Sequence, residues 1–125
     1  MALTHAAPGA LIDTRPLGER LLATPTHALL KTAALELMRV VLPAGHSLPP
    51  HSAPGEITLL CVEGSAWLRA GTGDHLLKPG DLVLLPGGDR HSVQAVEDCS
   101  LLVTVVLAQA AAKHLHSRAA SGMQA

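Results

Sequence analysis

The chain has no phenylalanine and no tyrosine, and Trp67 is its single tryptophan. A pocket without aromatic side chains cannot stack flat bases or sugar rings, which argues against nucleotide and carbohydrate ligands. The core must instead come from Leu, Val, Ala and Ile. Cysteine is scarce as well: Cys61 and Cys99 are too few for a disulfide scaffold, and they read as thiols of a reducing compartment. Neither sign of charge dominates, since nine Lys and Arg stand against ten Asp and Glu for a net charge of −1. With no basic stripe, nucleic acid is not an expected partner. No apolar run reaches the length of a membrane span, so no membrane is expected either. Residues 1–10 carry neither a basic start nor an apolar core, which reads as no secretory signal and predicts a cytoplasmic location.

What the chain does hold is a series of short apolar runs separated by Gly, Pro and Asp. Its 125 residues suit one domain, and 48% hydrophobic content excludes wholesale disorder. Residues 1–9 read as a loose arm, Leu11-Ile12-Asp13 as a short first strand, and Arg15-Pro16-Leu17-Gly18 as turn material. Residues 27–32 and 35–42 read as strands. In the second of these, Leu35, Leu37, Arg39 and Val41 share one face, while Glu36, Met38, Val40 and Leu42 share the other. A helix over 28–41 is the competing reading, because Ala, Leu, Glu, Lys and Met favour helix. Residues 43–55 read as a Pro/Gly-rich loop holding His46 and His51. Further strands are predicted over 57–62, 65–70, 75–78, 82–85, 91–96 and 101–107. About nine short strands with turn chemistry between them predict an antiparallel sandwich or barrel. Residues 109–125, which include His114 and His116, read as a short helix or a frayed tail.

The chain is organised around residues 80–91. The apolar run 82–85 has the length of a buried strand, Pro86-Gly87-Gly88-Asp89 forces a turn, and the turn aims His91. Gly80, Pro86, Gly88 and His91, at these spacings, resemble the second signature of the cupin superfamily. The Asn that closes that signature is Ala95 here. The first cupin signature, Gly, five residues, His-x-His, three or four residues, Glu, six residues, Gly, is matched in part. Gly45, His51 and Gly64 fit, but the second His position is Ala53 and the Glu position is Ile57. Glu56 stands one place before it. A second alignment takes His51 as the second His, with Pro49 in the first, and fits Glu56 at the cost of both glycine spacings. The first is preferred, because glycines at turns are set by backbone geometry. The resemblance implies an all-β fold, an antiparallel jelly-roll β-barrel of the RmlC-like cupin type. That domain would span 10–108, between the arm 1–9 and the tail 109–125, with a site inside the barrel.

Cupins with a full ligand set hold a divalent metal (Fe, Mn, Ni or Zn) through three His and one Glu, donors that suit such ions. His51 and His91 keep their positions here, and Glu56 is the best third ligand, brought back by a turn at Gly55. The expected metal site is therefore His51, Glu56 and His91. Two other roles stay open for the same residues. They are remnants hydrogen-bonded to one another or to water, or they do metal-free acid–base chemistry with either histidine as base and Glu56 orienting it. Metal-free sugar epimerases of the superfamily also use Tyr, which is absent. His46 is expected in solvent. Cys61 shares the strand parity of Ile57, points inward and packs. Arg39 and Arg69 either pin an anionic ligand inside the barrel or cover apolar surface with their stems. Trp67 shares a face with Arg69 and either fills a dimer contact or caps the pocket.

The resulting expectation is a cupin-domain protein that binds a small molecule, a divalent metal, or both inside the barrel. The alternative is a metal-dependent oxygenase or isomerase acting on a small non-aromatic substrate. A homodimer is expected, because Leu11, Ile12 and the strands over 27–42 carry more apolar surface than one small barrel needs.

Overall fold

The computed structural model describes residues 5–107. The expectation for residues 109–125, with His114 and His116, lies outside that range. Within it a short 3-10 helix, Gly18–Ala23, precedes nine strands. They are β1 (His27–Lys31), β2 (Leu35–Leu42), β3 (Ser47–His51), β4 (Ile57–Glu63), β5 (Ala66–Ala70), β6 (Gly73–Leu77), β7 (Leu82–Leu85), β8 (His91–Ala95) and β9 (Cys99–Val106). Every ladder is antiparallel. The first sheet has the order β1-β2-β9-β4-β7 and the second β3-β8-β5-β6, the two layers of a jelly roll. No helix among the described residues is long and apolar enough to cross a membrane.

Alternation of side chains along each strand builds the core. β4 turns Ile57, Leu59 and Cys61 inward, and β8 turns His91, Val93 and Ala95 inward while Gln94 faces solvent. Apart from His91, they meet Leu68, Leu77, Leu85, Cys99 and Leu101 in one aliphatic cluster. Burial pushes both thiols up, Cys99 to about 11. They stay neutral and act as packing, as the parity of Cys61 suggested.

The helix over 28–41 gives way to the β1–β2 hairpin. Its turn lacks Gly, Asn and Pro, and the Thr32 hydroxyl closes it by accepting from the N–H groups of Ala34 and Leu35. The sequence reading is corrected in two further places. Leu11-Ile12-Asp13 is not a strand, and residues 13–18 lie instead on the outer face of the first sheet. There the Arg39 guanidinium donates to the Asp13 carbonyl at 3.0 Å, and the Glu63 carboxylate accepts from the N–H groups of Leu17 and Gly18. The loop predicted over 43–55 contains β3. Pro49 and Pro50 hide it from a propensity reading, yet proline is tolerated on an edge strand, where one side needs no ladder partner.

Candidate functional site

Leu48 of β3 pairs with Val93 of β8, and the next matched pair is His51 with His91. Three steps along β3 therefore span two along β8, which is a β-bulge carrying one extra residue. Pro49 and Pro50 occupy it, and neither has an N–H to give the ladder. The bulge has a steric consequence. Leu48 faces the core, so strict alternation would turn His51 outward. The extra residue returns it to the inner face beside His91. The two rings lie 4.4 Å apart between centroids, tilted by 55°. His91 is buried and His51 is exposed, so the pair marks the mouth of the jelly roll.

Each imidazole is oriented by its own backbone. His51 Nδ1 lies 3.0 Å from the Pro49 carbonyl and His91 Nδ1 lies 3.0 Å from the Asp89 carbonyl. A carbonyl oxygen only accepts, so each Nδ1 donates, and in the neutral ring each Nε2 is the acceptor. The turn before His91 is itself fixed. The Asp89 carboxylate accepts from the Thr72 hydroxyl and from the N–H groups of Gly71 and Thr72, and those bonds hold it below the usual carboxylate range.

The expected set of His51, Glu56 and His91 is not assembled. Ile57 points into the core, and the residue before it must point the other way, so Glu56 is exposed. Gly55 does not supply a positive φ. It is glycine because a Cβ there would collide with the Val106 carbonyl oxygen. Ala53 and Ile57, at the family's ligand positions, pack against or within the core and offer no donor atom. Among the described residues no group of three or more His, Cys, Asp or Glu is placed to hold a metal ion. The donor set of two imidazoles does not fit a resident divalent metal.

One carboxylate near the mouth was not singled out from the sequence. Glu36 shares the inner face of β2 with Met38, Val40 and Leu42 and is half-buried. It heads the row Glu36–Val105–Ile57–Leu85 across the first sheet, while His51–His91–Ala70 form a row across the second. The links 52–56 and 86–90 join the two rows, so both lie at the same end of the sandwich. The parity of β2 was the signal that could have found it. The other candidates fall elsewhere. His46 is in solvent as expected. Arg39 is buried on the outer face of the first sheet, under residues 13–18, and not inside the barrel. Arg69 and Trp67 share the outer face of the second sheet, with the guanidinium 5.5 Å from the ring centroid.

The sequence matches the family model described as a cupin domain over residues 38–107. Comparison with curated proteins finds no match. Among solved structures, a cupin superfamily protein from Desulfitobacterium hafniense is similar at 19% identity and a TM-score of 0.67, over 82% of this chain and 99% of that one. A conserved protein of unknown function from Streptococcus pyogenes is similar at 19% identity and a TM-score of 0.65, over 86% of this chain and 97% of that one. The DMSP lyase DddQ from Ruegeria pomeroyi aligns at 24% identity and a TM-score of 0.59, over 66% of this chain and 45% of its own. At these identities the likeness is one of fold.

Proposed function

The chain belongs to the cupin family, and we propose that it is a binding module for a small, non-aromatic molecule bearing N–H or O–H groups. The ligand would sit at the mouth of the jelly roll between His51 and His91. The observation that carries this reading is the pair of imidazoles 4.4 Å apart, each with Nδ1 committed to a backbone carbonyl. Two lone pairs side by side accept two hydrogen bonds from one ligand. Glu36, on the inner face of the opposite sheet, adds an acceptor at the same end. The aliphatic walls behind them suit a ligand without rings to stack.

The metal-dependent oxygenase or isomerase needs donors at two positions where Ala53 and Ile57 have none. Sharing a fold with a lyase does not choose between binding and catalysis. A cytoplasmic location goes with this reading, supported by two cysteines that remain thiols.

Thermal unfolding in the presence of small polyols, amino alcohols and ureas tests it. A ligand at 100 times its Kd should stabilise the protein by about 2.7 kcal/mol. His51→Ala, at an exposed position, should remove that gain without loss of the fold, and His91→Ala should do the same. If no donor-bearing compound stabilises the wild type, or if the gain survives His51→Ala, the reading is wrong.

A further inference from the structure

We propose a second binding site, for a small oxyanion, on the outer face of the second sheet. A cavity of about 280 Å³ opens there, lined by Pro50, Arg69, Asp74, Arg90, His91 and Ser92. The strand register builds it. Ser92 of β8 is level with Arg69 of β5, and Arg69 is level with Asp74 of β6, in one row on the side away from the core. Arg90, in the link just before β8, lines the same cavity. The bulge at Pro49-Pro50 closes the far side.

The charges in this row do not cancel. Arg69 meets Asp74 at 3.5 Å, longer than a charge-assisted hydrogen bond of about 2.7–2.9 Å. Its guanidinium also leans over Trp67 at 5.5 Å, so it is held loosely between two partners. Arg90 makes no ion pair among the described residues. Two guanidinium groups thus face one carboxylate, with the Ser92 hydroxyl beside them. Each guanidinium carries five N–H donors in a planar fork that matches a carboxylate or a phosphate. The cavity lies below the range of about 300–1,000 Å³ of sites for drug-sized ligands. It suits a free oxyanion or a small molecule carrying one. His91 and Ala70, both of the inner row, line this cavity too, so it adjoins the proposed ligand position at the mouth and extends onto the outer face.

Trp67 is the only tryptophan and there is no tyrosine, so fluorescence excited at the red edge reports on this face alone. An anion that draws Arg69 away from the Trp67 ring changes that signal. The test is titration of the full chain with inorganic phosphate and, separately, with succinate, against sodium chloride at matched ionic strength. A saturable change is expected with at least one of the two. Phosphate alone points to a phosphorylated ligand, succinate alone to a carboxylate, and both to a site that accepts either. Arg90→Ala should weaken binding about tenfold or more, the loss of one charge-assisted hydrogen bond. Asp74→Asn should tighten it about threefold by removing a competing carboxylate. Arg20→Ala, at an exposed arginine elsewhere, should leave it unchanged. A response no larger than that of chloride, or one that survives Arg90→Ala, overturns the proposal.

Discussion

Ile57 points into the core because its parity matches Leu59 and Cys61, and the same parity sends Glu56 to solvent. Glu56 thus misses the site by one position, and Ala53 leaves the second donor position without a ligand. Glu56→Ala should change stability by less than about 0.5 kcal/mol, as for an exposed side chain without partners among the described residues, and should leave ligand binding intact. The double variant Ala53→His, Ile57→Glu places donors at both positions where the family carries them. After dialysis it should retain about one equivalent of zinc or nickel by elemental analysis, where the wild type retains far less. Burying a new carboxylate costs stability until the metal neutralises it, so its melting temperature should rise on adding metal. A variant that holds no more metal than wild type would show that the first alignment misplaces the ligand positions. Two signature glycines separate backbone strain from lack of room. Gly45 and Gly64 both have positive φ, 83° and 72°, but a Cβ at Gly45 meets open space while one at Gly64 would strike the Asp98 carbonyl. Gly45→Ala should cost about 1–2 kcal/mol from the left-handed backbone alone. Gly64→Ala should cost clearly more, read from urea midpoints, because backbone must move to admit it.

At the scale of strands, what alternation could and could not reveal is decided at bulges. The order and spacing of most strands were legible, because β2, β4, β5, β7, β8 and β9 alternate or run apolar between turn residues. His51 and His91 were legible as neighbours through the glycine and proline spacings that set their turns. The register breaks were not legible. They fall between Ala28 and Leu30, between Leu48 and His51, and between Cys61 and Glu63, and each reverses which face the chain shows next. An extra residue at Val62 is what turns Glu63 outward, level with Ser100, when its parity with Cys61 would have sent it into the core. Sequence period alone cannot register a one-residue slip, because the slip is visible only against the partner strand. Deleting Pro50 should remove the bulge of β3 and leave His51 two residues after Leu48, still on the inner face level with His91, so ligand stabilisation should survive while the circular dichroism spectrum stays β-rich. The Glu63 bulge docks residues 13–18. Burial alone would raise the Glu63 carboxyl, but the Ser100 hydroxyl, the N–H groups of Leu17 and Gly18 and the charge of Arg39 outweigh it and hold Glu63 below the usual range. Such a group contributes stability fully above its ordinary value of 4.5 and loses that contribution as pH falls through its lower folded value. Glu63→Gln should lower the unfolding free energy at pH 7 by about 1–3 kcal/mol, and the gap to wild type should close below pH 4. A gap that persists in acid would mean that the carboxylate charge is not what holds residues 13–18.

Taken whole, the molecule has two unlike outer faces. That of the second sheet is mixed, with Ser92, Gln94, Arg69 and Asp74 beside Trp67 and Leu76. That of the first sheet carries a row across all five strands, Leu30, Leu37, Thr104, Thr58 and Leu84, in which three leucines flank two threonines and Leu60 and Leu82 lie beside it. Residues 13–21 cover only the end near Arg39 and Ser100, where Leu21 is buried. At the far edge Leu82 and Leu84 remain 63% and 59% exposed. A contiguous apolar face rimmed by polar residues marks an interaction surface. A second copy of the chain fits it best, since a two-fold pairing lays the same row against itself and needs no other complement. The homodimer is therefore our proposal for this face. Of the expected interface, it keeps the strands over 27–42 through Leu30 and Leu37 and leaves out Leu11 and Ile12. Light scattering at micromolar concentration should give about twice the chain mass of 12.9 kDa. The pair Leu60→Glu and Leu84→Glu should bring the mass down to that of one chain and leave the β spectrum unchanged, because neither side chain lies in the core between the sheets. A wild-type mass already near 12.9 kDa would refute the dimer. A dimer that survives both substitutions would place its interface on another face.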